Sequence, residues 1–242
     1  AIAIYDSKKK EIVLSRDYVG QKPLFYSKND NYYIFSSQLN GIILDNNCST
    51  KVSRKNLKRY FTYSFIPAPH TLYEKIYQVE PGENILIDLQ NLNINKTKYW
   101  DFKNGADYNV FFSKIPESEF KQQFEGIVQQ HSIADKLPAL SLSGGIDSYI
   151  VMNYFTKLQK NCSSFTLGFE NKSFDESRYV KKIKKKLNKQ IYYASNKELF
   201  SSFIKLSKLL SEPIGDSSII PTYIIHNKIK DSSNVSLGGD GG

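Results

Sequence analysis

Cysteine is nearly missing from this chain: Cys48 and Cys162 are the only two in 242 residues. They form no CxxC pair and neither has a histidine nearby, which excludes a zinc cluster and a disulfide framework and leaves two buried free thiols as the reading. Long apolar runs are missing as well. None approaches a membrane span of about 20 residues, and no charged-then-apolar leader precedes a cleavage site, so a soluble cytoplasmic protein without a membrane partner is expected. Core-forming residues are not lacking. With 40% hydrophobic and 14% aromatic residues, nothing points to disorder, and two domains fit this length better than one.

Charge is unbalanced, with 33 Lys and Arg against 24 Asp and Glu, a formal net charge of +9. The densest basic run, Lys181 to Lys189, interleaves with Val180, Ile183 and Leu187 at helical spacing, which describes a solvated helix face. No recognition motif or aromatic stacking platform accompanies it, so no nucleic-acid partner is expected.

The first hundred residues alternate strands with turn signals: strands at 2–5, 11–15, 24–26 and 32–36, with Lys8-Lys9-Lys10 and Asn29-Asp30-Asn31 between them. An antiparallel meander is predicted. A helix over 54–63 and strands at 84–89 and 94–100 follow, and 103–116, rich in Asn, Gly, Asp and Pro without periodicity, reads as a linker. This divides the chain into 1–102, 103–116 and 117–242. Past the linker, Phe120, Phe124, Ile127, Val128 and His131 mark the buried face of a helix. Strands at 138–142, 164–169, 190–193 and 235–237 then alternate with helices. Capping boxes at Ser173/Glu176 and Ser195/Glu198 open two of these. Leu199, Phe200, Phe203, Leu206 and Leu210 give the second its apolar stripe. A further helix spans 219–229, with Pro221 in its first turn. The β-α-β-α succession predicts an α/β half with a doubly wound parallel sheet that binds ligands at the carboxyl ends of its strands, after a β-rich α+β half.

Ser141-Leu142-Ser143-Gly144-Gly145-Ile146-Asp147-Ser148 lies where such a ligand would bind, between a strand and a helix predicted to reach Leu158. Two glycines let backbone approach an anion, hydroxyls and amides point at it, and the helix N-terminus adds partial positive charge. Asp147 would repel a polyphosphate unless a divalent cation sat between them, so it reads as a Mg2+ ligand. A Gly-Ser turn capped by Asp147 is the plain alternative. No Gly-Lys-Ser/Thr follows, as it would in a Walker loop, and no third glycine completes a dinucleotide fingerprint. The segment resembles the PP-loop of ATP pyrophosphatases. Gly238-Gly239-Asp240-Gly241-Gly242, after the last strand, is expected at the same edge. The implied chemistry is adenylation: a carboxylate attacks the α-phosphorus of ATP, and the acyl-adenylate is open to a nitrogen nucleophile. Asp240 then either orients an amino substrate or accepts a proton from ammonia, or else caps a glycine turn.

The ordered motifs resemble those of glutamine-hydrolysing asparagine synthetases along nearly the whole chain. Arg16-Asp17-Tyr18-Val19-Gly20-Gln21-Lys22-Pro23-Leu24-Phe25-Tyr26 is similar to a segment late in that family's class-II glutaminase domain, and Phe35-Ser36-Ser37-Gln38-Leu39 to the next, with Gln38 where Glu is usual. Pro67 to Leu72, Pro81-Gly82, Tyr99-Trp100-Asp101, the 141–148 loop, Phe174-Asp175-Glu176-Ser177 and Glu212 to Ser218 follow in the family's order. The resemblance implies an adenine nucleotide alpha hydrolase-like sheet, preceded by the later part of an N-terminal-nucleophile-type β domain. It also implies that Ser143, Gly144, Gly145, Asp147 and Ser148 hold pyrophosphate and Mg2+. Ser141 and Leu167 would contact the adenosine part through backbone, Gly238 and Gly239 would form the second nucleotide loop, and Asp240 would serve formation of the aspartyl-adenylate.

Departures from the pattern are Gly238 in place of Ser, the missing Asp-Glu that completes the second loop, and the missing downstream Lys. The N-terminal Cys nucleophile is missing too, and Cys48 lies too late in the order to replace it. Arg16 and Asp17 read either as charges at the domain boundary or as a turn-stabilising ion pair. An internal, inactive fragment of a longer protein is therefore expected, with Cys after the initiator Met upstream and Asp-Glu directly after Gly242. Aspartate, glutamine and ATP are the implied small-molecule partners, and the resemblance leaves room for a homodimer. Two alternatives stay open: a relative acting on another carboxylate of a glycan or secondary metabolite, and a binding module with a decayed site.

Overall fold

Successive residues of a strand point to opposite faces, and in this chain that alternation decides which cores form. The computed structural model describes residues 1–101, 115–159, 161–185 and 187–240. The chain divides into two units, one of Ala1–Ser113 with Leu210–Asp216, the other of Lys114–Leu209 with Ser217–Gly242. Residues 103–114 of the predicted linker lie outside the described residues.

The first unit contains two antiparallel sheets. Strands β1 (Ile2–Asp6), β2 (Glu11–Ser15), β6 (Glu83–Asp88) and β7 (Ile94–Lys98) run in the order β1-β2-β6-β7, and β3 (Phe25–Lys28), β4 (Tyr33–Ser36) and β5 (Ile76–Gln78) in the order β4-β3-β5. Tyr26 joins Leu14, Leu24, Val79, Ile85 and Ile87 in one buried cluster, while its neighbour Phe25 joins Leu39, Ile42, Cys48 and Ile76 in another. The three-stranded sheet thus lies between two cores, the second closed by α1 (Leu39–Ile43). Helix α2 (Arg54–Tyr63) begins where Ser53 Oγ accepts the Asn56 amide at 3.3 Å, and stops at Ser64 in the left-handed region (φ 64°). Neither α1 nor β5 was expected, because five and three residues are too few to show a period.

The predicted meander is interrupted. β2 pairs with β6 instead of β3, so the two N-terminal hairpins belong to different sheets. The turn between them explains the break. Buried Arg16 donates to the carbonyls of Lys22 (3.0 Å), Val79 (2.7 Å) and Gly20 (2.7 Å), and the Asp17 carboxylate accepts the amides of Gln21 (2.7 Å) and Lys22 (3.1 Å). Arg16 and Asp17 therefore direct these hydrogen bonds to backbone, and the expected ion pair is reduced to a charge interaction between neighbours that together stabilise the turn.

The second unit is built on one parallel sheet. Strands β8 (Ala139–Ser141), β9 (Ser163–Phe169), β10 (Asn188–Ala194) and β11 (Ser236–Leu237) run in the order β10-β9-β8-β11. From β8 the chain moves outward through β9 to β10, then returns to the opposite side of β8. Its helices are α3 (Glu117–His131), α4 (Ile146–Leu158), α5 (Ser177–Lys182), α6 (Asn196–Leu209) and α7 (Ile219–Ile229). Leu140 and Leu142 pack with Val128, Met152 and Phe155, and Ala139 and Phe165 with Ile225 and Ile229. Helices α3 and α4 thus cover one face of the sheet and α7 the other.

Three helical expectations need correction. On α3, Val128 is buried and Phe124 partly so, but Phe120, Ile127 (51% exposed) and His131 face solvent. Its contacts with α4 and the sheet bury only a narrow stripe. On α6 the buried edge runs through Ser202 and Leu206, leaving Phe200 67% exposed. Leu210 lies past the helix end, in the first unit. The lysine-rich helix stops at Lys182, because Ile183 is already extended (ψ 119°). Ile183 and Leu187 still pack on the core, and Lys185 Nζ is tied to the Asn153 carbonyl (3.2 Å) and Thr156 Oγ1 (2.8 Å). Those contacts outweigh helix propensity there.

Candidate active site

The turn from β8 into α4 is tied down at both ends. The Leu142 amide donates to the Phe165 carbonyl (2.9 Å), and Thr166 Oγ1 donates to the Leu142 carbonyl (2.7 Å). Further on, buried Ser148 turns its hydroxyl back into the loop, 2.9 Å from Ser143 Oγ and 3.1 Å from the Gly145 carbonyl. Ser143 Oγ in turn accepts the Gly145 amide at 3.1 Å. Helix α4 has no side-chain cap at Gly145. Its first-turn amides keep the positive end of the helix dipole open to an anion. Asp147 is exposed in that same turn.

The second glycine loop comes onto this helix start. A methyl group added at Gly239 would lie 2.5 Å from the Ser148 amide nitrogen and 2.9 Å from Asp147 Cβ. At Gly238 it would lie 4.0 Å from Ser141 Cβ and 3.9 Å from Asp240 Oδ2. Ser141, Ser143, Gly145, Asp147, Ser148, Gly238, Gly239 and Asp240 thus gather at the carboxyl ends of the adjacent parallel strands β8 and β11. Leu167 is carried by the neighbouring strand. It lies on β9, two residues beyond Phe165, the register partner of Ser141, against the cluster of Ala139, Phe165 and Ile225. Gly241 and Gly242 are outside the described residues.

Gly144 has a different neighbour. A methyl group there would lie 2.7 Å from Glu176 Cβ and 2.9 Å from Tyr179 Cδ2, and its amide donates to Glu176 Oε2 at 3.1 Å. The close approach that this glycine permits is that of α5. The expected capping box at Ser173/Glu176 does not form: Glu176 is itself the N-cap position, without a side-chain cap bond, and Asp175 before it accepts the Ser177 amide (3.1 Å) and hydroxyl (3.0 Å). Fully buried Ser177 also meets Tyr193 Oη at 2.9 Å. Burial pushes the Asp175 carboxyl up, but the Ser177 hydrogen bonds, the Phe169 backbone hydrogen bond and the Lys181 charge together hold it below the ordinary carboxylate value. Hydrogen bonds from Lys181 and Ser177 lower the Tyr193 phenol. By contrast, the Ser195 cap forms as expected, accepting the Glu198 amide at 3.2 Å.

Between this loop and α5 is a cavity of about 540 Å³, lined by the 143–146 turn with Tyr149, Tyr179, Lys182 and Lys184. Sequence reasoning missed Glu176, Tyr179 and the two lysines as neighbours of the loop. The Phe174–Ser177 motif was the available signal, and it read as a helix cap. Among the described residues no group of three or more His, Cys, Asp or Glu side chains could hold a metal by itself. Mg2+ needs only one or two carboxylates when substrate phosphates complete its shell, and Asp147 fits that donor set. Both cysteines are buried, Cys48 among core residues beside α1, and burial pushes the Cys162 thiol up. Neither has the exposed surroundings of a nucleophile.

Residues 1–100 match the glutamine amidotransferase domain family and residues 119–242 the asparagine synthase family, placing the chain in the class of amidotransferase-linked synthetases. It aligns in full with a Methanocaldococcus jannaschii protein provisionally named glutamine-hydrolysing asparagine synthetase 2, at 34% identity over 250 positions and 48% of that protein. It also aligns in full with glutamine-hydrolysing asparagine synthetase 1 of Bacillus subtilis, at 24% identity and 38% of that protein. The chain belongs to the glutamine-hydrolysing asparagine synthetase family, and it spans half or less of the length of these relatives. No helix among the described residues is long and apolar enough to cross a membrane.

Proposed function

We propose that this chain is part of an enzyme that makes asparagine from aspartate, with ATP as energy source and glutamine as nitrogen donor. Residues 1–102 are then the later part of the glutaminase domain, joined through 103–116 to the first part of a doubly wound synthetase domain at 117–242. A role in the cytoplasm fits small-molecule chemistry of this kind. The observation that carries the reading is the meeting of Gly239 with the uncapped start of α4. It lies where the strand order changes direction between β8 and β11, the place at which open parallel sheets bind ligands.

In this reading the first-turn amides of α4, with Ser143, Gly144, Gly145 and Ser148, grip the β- and γ-phosphates, the backbone of Ser141 and Leu167 lines the adenosine side, and Gly238 and Gly239 form the second nucleotide loop. Asp147 would hold Mg2+ against the phosphate oxygens, where the ion offsets charge growing on the leaving group. An aspartate carboxylate oxygen bonds to the α-phosphorus as the α–β anhydride breaks, and pyrophosphate leaves. The ammonia lone pair then attacks the acyl carbon, AMP departs with the shared oxygen, and Asp240 orients the amine or accepts its proton.

ATP–pyrophosphate exchange by the complete protein, with aspartate compared against other carboxylic acids, tests the reading. Exchange that depends on aspartate supports it, exchange with a different acid makes the enzyme a relative with another acceptor, and no exchange with any acid removes the adenylation chemistry.

A further inference from the structure

We propose that the Glu176 carboxylate is a resident stand-in for a phosphate oxygen: it holds the Gly144 amide in the free protein, and a bound polyphosphate displaces it. The proposal rests on the nucleotide reading of the loop given above. Its basis is the contact between Glu176 Oε2 and the Gly144 amide, at 3.1 Å, within the very turn that would receive an anion. A carboxylate there also places negative charge against the N-terminus of α4, which no side chain caps.

The surroundings allow an exchange. Glu176 is exposed, so releasing its carboxylate to water costs little. Its backbone does not depend on that bond, because Asp175, Ser177 and Tyr193 anchor the start of α5 through hydrogen bonds of 2.9–3.1 Å. The side chain can therefore swing while the helix stays. The adjoining cavity of about 540 Å³, bordered by Lys182 and Lys184, gives the incoming anion room. An internal carboxylate at one amide also sets a threshold. A ligand with a single phosphate must compete for that donor, whereas one with several phosphates gains the helix start as well.

Titration of pyrophosphate, in the presence of Mg2+, into the complete protein by isothermal calorimetry tests this, with thermal melts to check folding. Glu176→Ala removes the competitor and should tighten binding by about three- to tenfold, given the usual worth of an exposed charge-assisted hydrogen bond. Glu176→Gln keeps the length, loses the charge and should tighten it about twofold or more. If the alanine variant fails to fold, the glutamine variant decides. Equal or weaker binding by the folded variants, with the unaltered protein still binding, overturns the stand-in role and leaves the nucleotide reading intact. No binding by any of the three overturns both.

Discussion

Gly239 and Ser148 are 91 positions apart in the chain, yet a methyl group on the first would lie 2.5 Å from the amide nitrogen of the second. That nitrogen is main chain, which cannot rotate aside, so Gly239→Ala has to push the second loop off the start of α4. A displacement near 1 Å in a positioned site costs on the order of a hundredfold in rate, the expected loss in ATP–pyrophosphate exchange. Gly238→Ser is the contrast, since its Cβ would meet neighbours only at 3.9 and 4.0 Å. Exchange should survive it. Equal damage from both variants would count against the close contact.

Asp147→Asn keeps the shape of the first turn of α4 and removes one charge. If Asp147 holds Mg2+ against the phosphates, exchange falls by at least about tenfold and the Mg2+ concentration for half-maximal rate rises. A magnesium titration of both proteins checks this. An unchanged midpoint would reduce Asp147 to a favourable charge at a helix end.

In the first unit, Arg16 satisfies three carbonyls with one planar fork. Arg16→Ala should cost about 2–4 kcal/mol in urea unfolding, because buried acceptors lose their donors together. Arg16→Lys should recover only a small part of that, since an ammonium cannot span the three directions.

Glu212 lies in the segment Leu210–Asp216 of the first unit, where its carboxylate accepts the Leu72 amide. Burial raises this carboxyl above its ordinary value, and the Leu72 hydrogen bond only partly opposes the shift. A raised folded-state value means that the folded form binds the proton more tightly than the unfolded one. The contribution to stability is then fully present below the unfolded value, near 4.5, and is lost as pH rises through the raised folded value. Glu212→Gln, neutral throughout and still able to accept the Leu72 amide, should flatten that part of the stability curve. Denaturant midpoints measured from pH 4 to pH 8 on both proteins decide it, and parallel curves would remove Glu212 as the titrating group.

Local signals in the sequence were strong enough to place α2 at Arg54–Tyr63, α7 at Ile219–Ile229 and β2 at Glu11–Ser15, since apolar spacing, turn residues and Pro221 act within a few residues of themselves. The β8-loop-α4 unit was legible for the same reason. Glycines, hydroxyls and an acidic residue between a strand and a helix have few other uses. Elements without a local period, α1 and β5, stayed hidden, and the apolar stripes of α3 and α6 were drawn too wide because a periodic pattern does not say how many neighbours will cover it.

The pattern of residues by itself determined the two kinds of secondary-structure rhythm, the glycine-serine turn between β8 and α4, and the ordered motifs that place the chain in its family. Only the tertiary structure decided partners: that β2 takes β6, that Arg16 and Asp17 clamp backbone, that Gly239 meets Ser148, and that Glu176 leaves its expected cap for Gly144. The physical reason is range. Capping, turn formation and periodicity depend on atoms a few bonds apart, whereas strand pairing and a carboxylate's choice of amide depend on which distant segments the packed core brings within hydrogen-bonding distance.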